Sequence, residues 1–285
     1  MQSAAWETLF NTLLLVFWFA AWNAADRATL FNPYLGPLHR WIDALTGRLG
    51  RLGLHPGRGT AAGVFALLLL GRSALVAAGG HWPVQMGFLG GALRGGSVFT
   101  ALMYSPLSFC LFLFQVWSLS VIYVHTRRGV SFNNTSDALS SVSRPFTDVR
   151  PDLRPLVLMG FGMAIALVLQ YTAGDLPQAG SPNAVVALTL ARAFVVTLAA
   201  WTSVLLLLRS ILIVLIIASW VSMFTGTHAL MVVSRDWLDF LLGPLRNLPL
   251  RIGMFDLTPI VMIFALDWAH RLIMAVLMGS YLKLA

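Results

Sequence analysis

"VLLLLRSILIVLIIASWVSMF", from Val204 to Phe224, holds a single charge, Arg209, in a run of apolar residues and serines. A helix needs about 20 such residues to cross the hydrocarbon core of a bilayer. A helix of a soluble domain would alternate this surface with a charged face. The run therefore decides the class of protein. Comparable runs read as spans at 8–25, 60–79, 106–125, 155–173 and 259–282. Composition agrees: of 285 residues, 58% are hydrophobic and only 11% charged, with a mean hydropathy of +0.79. A soluble domain carries about 25% charged residues because its surface faces water. The expected fold is all-α, a polytopic helical membrane protein forming one membrane domain over 1–285, with about six transmembrane helices.

Two further stretches are apolar but interrupted. "GFLGGALRGGSVFTALMYS" (Gly87–Ser105) contains glycines and Arg94, and "NAVVALTLARAFVVTLAAW" (Asn183–Trp201) contains Arg192. Both read as interfacial or re-entrant helices on the outer face, with a seventh span as the alternative for the second. Arginine placement sets the orientation. Arg27, Arg40, Arg48, Arg51 and Arg58 lie between the first two spans. Arg127, Arg128, Arg144, Arg150 and Arg154 lie between the third and fourth, and Arg235, Arg246 and Arg251 between the fifth and sixth. Short basic loops stay in the cytoplasm, so both termini are expected outside, on the periplasmic side of a bacterial inner membrane. The N-terminus "MQSAAWETLF" has no basic segment and carries Glu7, so it reads as a retained helix rather than a cleaved leader.

The basic connections repeat. Trp41, Asp43 and Gly47 match Trp237, Asp239 and Gly243 without a gap, and Pro145, Asp152, Leu153 and Pro155 match Pro249, Asp256, Leu257 and Pro259. Three helix–amphipathic segment–helix units follow, at about 8–79, 106–173 and 204–282. In "SRDWLDFLLGPLRNLPLR" (Ser234–Arg251) the charges recur three or four apart, with Trp237 and the leucines on the other side. Such segments lie in the interfacial plane with arginines near anionic headgroups, so anionic lipids are expected partners.

"PDLRPL" (Pro151–Leu156) and "FDLTPI" (Phe255–Ile260) share D-L-x-P at the mouth of a span. Pro155 and Pro259 suit a first helical turn, where the missing amide costs nothing. Asp152 and Asp256 suit the positive end of the helix dipole, and Asp256 is expected to cap the last span.

"IASWVSMF", then "FLLGPLRNLP", then "GMFDLTPIVMIFAL" together resemble the YggT family of small integral membrane proteins over 212–270. Trp237, Pro244, Arg246, Asp256 and Pro259 fall in the resembling stretch. "NPYLGPLHRWIDAL" (Asn32–Leu45) is similar to the family's other half, but has "GRGTAAG" in place of D-x-[ST]-P, and the middle unit is an addition to the family's usual two. The resemblance implies a bacterial inner-membrane or plastid protein without an assigned catalytic mechanism. Its relatives are linked to osmotic tolerance through potassium uptake, to cell division or nucleoid organisation, and to haem attachment.

Charges at membrane depth are costly and mark functional or bundle-tying positions. Here they are Arg72, Arg209, Asp267 and Arg271, with His270 between the last two. Asp267 and Arg271 are one turn apart and can pair, and Asp267 is the expected partner of Arg72 or Arg209. The single cysteine, Cys110, excludes an intramolecular disulfide and cysteine-cluster metal sites. With no nucleophile–base set, phosphate loop or carboxylate pair, no enzyme, cofactor, metal or nucleic-acid partner is expected. Two functions remain. One is assembly or organisation of membrane machinery with a membrane-protein partner; the other is a component of potassium uptake. In a Cys110→Ser background, single cysteines replacing Arg48, Arg150 or Arg235 should react with an impermeant maleimide only after the inner face is opened. Labelling of intact cells would invert the orientation.

Overall fold

The computed structural model describes residues 2–23, 32–50, 58–79, 83–86, 89–92, 98–126, 134–173, 177, 181–226, 228–243, 250–252 and 255–284. Ten α-helices dominate them. They are α1 (Gln2–Trp22), α2 (Leu35–Gly50), α3 (Arg58–Gly79), α4 (Val98–Thr126), α5 (Asn134–Val142), α6 (Arg154–Ala173), α7 (Pro182–Thr202), α8 (Val204–Thr225), α9 (His228–Leu242) and α10 (Thr258–Leu284). Two small antiparallel hairpins accompany them: β1 (Pro83–Met86) with β2 (Leu89–Ala92), and β3 (Arg251–Ile252) with β4 (Phe255–Asp256). Five stretches are long and apolar enough to cross a membrane: Arg58–Ala78, Leu102–Tyr123, Arg154–Thr172, Pro182–Ser222 and Thr258–Leu284. Leu9–Trp22 in α1 is a shorter apolar helix.

α1 packs on α3, α3 on α4, and α4 on α6, while α6 packs on α7. Phe114 and Trp117 of α4, Leu158 and Ala166 of α6, and Ala193 and Val196 of α7 share one buried core. Small residues let these helices approach. A methyl group built on Gly162 of α6 would collide with Thr197 of α7 and lie 2.7 Å from the Phe114 ring.

The stretch 183–201 departs from expectation. It is no interfacial fragment but nearly all of α7, and Ser203 joins it directly to α8 with helical torsions (φ −63°, ψ −17°). The 41 residues of Pro182–Ser222 would extend about 60 Å as a straight helix, twice the ~30 Å of a hydrocarbon core. α10 lies antiparallel along both halves. Arg192 bonds Leu284, Thr202 meets His270, and Arg209 meets Asp267, so residue numbers fall along one rod as they rise along the other. Arg192 was the mark of an interface in the sequence. It is buried instead, its Nε donating to the Leu284 carbonyl at 2.8 Å, 6.0 Å from the Tyr281 ring centre. A cation at the negative end of α10 is satisfied there by the dipole and a free carbonyl.

The outer stretch 87–105 also differs. It contributes β2 and the start of α4, with no separate helix among its described residues. Glycine-rich backbone suits a tight hairpin better than a helix. Met86 of β1 is buried in the α4–α6–α7 core, so the hairpin tucks into the bundle.

At the other end the three basic connections meet. Asn23 at the end of α1 donates to the Ser141 carbonyl (2.9 Å), Asn32 to the Asn134 carbonyl (2.9 Å), and Trp18 to the Arg144 carbonyl (2.8 Å). Tyr34, just before α2, donates to Asp236 of α9 (3.1 Å) and packs edge-on to Trp237. Gly226, with a left-handed φ of 64°, turns α8 into α9. α9 then folds back along α8, and its Leu241 carbonyl accepts from Tyr123 of α4 (3.1 Å). Within α2, His39 is buried against Phe19, while Trp41 is exposed.

Gly162→Ala should lower the stability of the detergent-solubilised protein by about 1–3 kcal/mol through overpacking. Gly160→Ala, where nothing lies within 4 Å of the added methyl, should be neutral or slightly stabilising. Thermal unfolding of both variants measures the contrast.

Candidate functional site

The D-L-x-P motifs share a geometry. α6 begins at Arg154 and α10 at Thr258, so the variable residue of the motif opens each helix. Pro155 and Pro259 are the second helical residues, half-buried and buried. The Leu153 carbonyl accepts from the Val157 amide (2.9 Å), and the Leu257 carbonyl from Val261 (3.0 Å). The leucine thus holds the cap position in both copies, and Asp152 and Asp256, expected as caps, stand one residue before it. Asp152 is exposed, and Asp256 lies in β4, paired with Arg251. In the middle copy Arg154 reaches back to the Val149 (2.9 Å) and Thr147 (2.6 Å) carbonyls, fixing the turn that precedes its own helix. Trp237 is half-buried on α9, and Pro244 and Arg246 lie outside the described residues.

The intramembrane charges fall into two clusters on different helices. Arg72 of α3 is completely buried. It donates to Asn11 Oδ1 (2.7 Å), to Ser108 Oγ (2.7 Å) and, more weakly, to Glu7 Oε1 (3.4 Å). Ser108 accepts from Arg72 and in turn donates to Glu7 (2.8 Å), and Tyr104 also donates to Glu7 (3.4 Å). Asp267 is therefore not the partner of Arg72. Glu7 stands one residue before the first expected span, 8–25. Helix α1 starts at Gln2, which brings Glu7 and Asn11, one turn apart, onto the face that meets α3. That i,i+4 pairing of a carboxylate and an amide was the available signal.

The second cluster joins α8 to α10. Asp267 accepts from Arg209 with one oxygen and from Arg271 Nε with the other (2.9 Å). The Asp267 side chain is 24% exposed, Arg209 39% and Arg271 76%. Both carboxylate oxygens are engaged, one across helices and one within α10. No hydrogen bond or ion pair among the described residues links the two clusters.

Next to this triad lies the joint of the long rod. Thr202 Oγ1 donates to the Ala199 carbonyl and Ser203 Oγ to that of Ala200. Hydroxyl back-bonding of this kind bends helices. The Leu206 amide turns to the Ser203 carbonyl (3.0 Å) rather than to the one four residues back. The Thr202 carbonyl is thereby freed, and His270 Nδ1 of α10 meets it at 3.2 Å. A buried carbonyl left unmade would cost about 1–3 kcal/mol. Beside the joint is a cavity of about 250 Å³ lined by Met86, Phe114, Gln115, Ser203, His270 and Met274 among others. Met86, Gln115, Ser203 and His270 carry no sequence pattern that joins them, since they come from four separate places in the chain. Among the described residues, no three His, Cys, Asp or Glu side chains are grouped to hold a metal ion.

No protein-family model, curated protein or solved structure matches the chain. Its chemistry is therefore read from these clusters.

Glu7→Gln should destabilise the protein by about 2–3 kcal/mol, because it leaves a fully buried guanidinium without its counter-charge, a loss moderated by the 35% exposure of the Glu7 side chain. Asp267→Asn should cost less, about 1–2 kcal/mol, since all three members of its cluster keep some exposure. Arg271→Gln should stay within about 1 kcal/mol of wild type, as expected for an exposed pair. Thermal unfolding in one detergent orders the three; equal losses for Glu7→Gln and Arg271→Gln would contradict the assignment.

Proposed function

We propose that this protein is a non-catalytic membrane protein that assists the assembly or organisation of other membrane machinery, with its basic end as the working surface. The single observation that carries the reading is the meeting of all three basic connections through Asn23, Asn32, Trp18 and Tyr34. Arg40, Arg48, Arg144, Arg150 and Arg235 are exposed there. Each such cation contributes on the order of 1 kcal/mol beside an anionic bilayer, which makes anionic lipids and an acidic face of a membrane-protein partner the fitting contacts. The reading includes six crossings in three repeated units, both termini outside a bacterial inner membrane, and kinship to the YggT family through the motifs in 212–270. The charges within the apolar helices fit it as ties: Arg72 and Arg209 each meet a carboxylate, whereas a conduction path needs groups that release their partners.

Tyr34 is a marker for the platform. Burial, helped by Asp236 and opposed by a hydrogen bond with Thr135, pushes its phenol above its ordinary value of 10.0. A folded-state pKa raised in this way contributes stability that is complete below pH 10 and is lost as pH rises through the folded value. The Tyr34–Asp236 contact should therefore persist through neutral and mildly alkaline pH, and Tyr34→Phe should reduce the loss of stability above pH 10.

The function is tested by cross-linking and co-purification from native membranes. The triple variant Arg40→Glu, Arg144→Glu, Arg235→Glu should fold, remain in the membrane and lose about tenfold or more of its recovered partner, a change of about 1.4 kcal/mol or more. Liposomes containing the wild-type protein should pass no potassium. Potassium flux that Asp267→Asn abolishes would replace this reading with the transport one.

A further inference from the structure

The cavity at the α7–α8 joint has a defined polarity. A carbonyl oxygen can only accept a hydrogen bond. Because His270 Nδ1 faces the Thr202 carbonyl at 3.2 Å, that nitrogen carries the proton of the neutral ring. The remaining nitrogen, Nε2, is then an acceptor. The same logic orients Gln115. Ser203 Oγ spends its proton on the Ala200 carbonyl, so its contact with Gln115 Nε2 at 3.3 Å requires the amide nitrogen to donate. Gln115 therefore brings its carbonyl oxygen as a second acceptor. Both residues line the cavity.

The rest of the wall is apolar and soft. Phe114 offers a ring, Met86 and Met274 offer thioether sulfurs, and Leu111 and Leu206 complete the lining. Methionine sulfur and aromatic edges favour an aromatic guest over an aliphatic one. A volume of about 250 Å³ is just below the ~300 Å³ at which pockets for larger ligands begin, which suits a single substituted ring. An acceptor wall in an apolar cavity rejects a molecule that cannot donate, because its own polar atoms would be left unpaired.

We propose that this cavity binds the head of a membrane-soluble phenol or hydroquinone, with a hydroxyl donated to His270 Nε2 and the ring held between Phe114 and the methionines. The site is separate from the basic end and does not depend on the organising role proposed for it.

The test uses the full chain in phosphatidylcholine nanodiscs, with empty nanodiscs subtracted. The probes are para-pentylphenol, its methyl ether and para-pentylcyclohexanol. The phenol should bind about tenfold or more tightly than the ether, the change expected for one unmade hydrogen bond, and more tightly than the cyclohexanol. His270→Phe should erase the preference over the ether. Nitrogen-15 spectra of histidine-labelled wild-type protein supply a readout that does not depend on that variant folding. The free protein should show His270 protonated at Nδ1, and the Nε2 resonance should move on adding the phenol. Equal binding of phenol and ether, equal binding of phenol and cyclohexanol, or a proton on Nε2 in the free protein would each overturn the proposal.

Discussion

The bundle depends on one constraint: a backbone carbonyl at the middle of a long apolar rod cannot be left unpaired where water does not reach. At Ser203 the turn tightens and releases the Thr202 carbonyl, and His270 takes it from the neighbouring helix. α10 is positioned by this contact and by two others on the same line, Asp267 to Arg209 and the Leu284 carbonyl to Arg192. Three polar contacts at three levels hold α10 along both α7 and α8. Apolar packing alone would leave α10 free to slide, since dispersion contacts between aliphatic faces are similar at neighbouring registers. The polar contacts define the register.

The same principle explains the other half of the molecule. Arg72 is fully buried, and its cost is reduced by distributing its two terminal nitrogens over Asn11, Ser108 and Glu7 from two flanking helices, its Nε remaining without a hydrogen bond among the described residues. Such a network is demanding, because removing one member leaves a charge without compensation. It ties α1, α3 and α4 together where the facing side chains are otherwise apolar. The two clusters act on different helices, and α4 lies between them. Its Ser108 and Tyr104 face Arg72, its Gln115 faces the joint, and its Tyr123 reaches α9.

Reading the residues in order recovered the helices best. The six expected apolar spans lie within α1, α3, α4, α6, α8 and α10, apart from a few end residues, and the pairing of Asp267 with Arg209 and Arg271 followed from span depth and i,i+4 spacing. The errors share a physical origin. Arg192 on its own pointed to an interfacial position, and Glu7 stands just outside the first expected span. Each is instead compensated by a group distant in sequence, 65 residues away for Glu7 and 92 for Arg192. The aspartates of D-L-x-P were taken as caps because acids favour helix starts, yet the leucine carbonyl accepts the first helical bond in both copies.

Composition and the apolar runs by themselves determined that this chain is helical, with stretches long and apolar enough to cross a membrane, and roughly where its helices lie. These are local properties, set by the transfer free energy of each segment and the length of helix it can support. Only the tertiary structure decided that α7 continues into α8, that Met86, Gln115, Ser203 and His270 surround one cavity, and that three separate basic connections form one end. Those outcomes rest on which distant carbonyl or carboxylate satisfies a buried donor. A linear pattern of hydropathy does not encode that choice, because it records the cost of a polar group and not the partner that removes it.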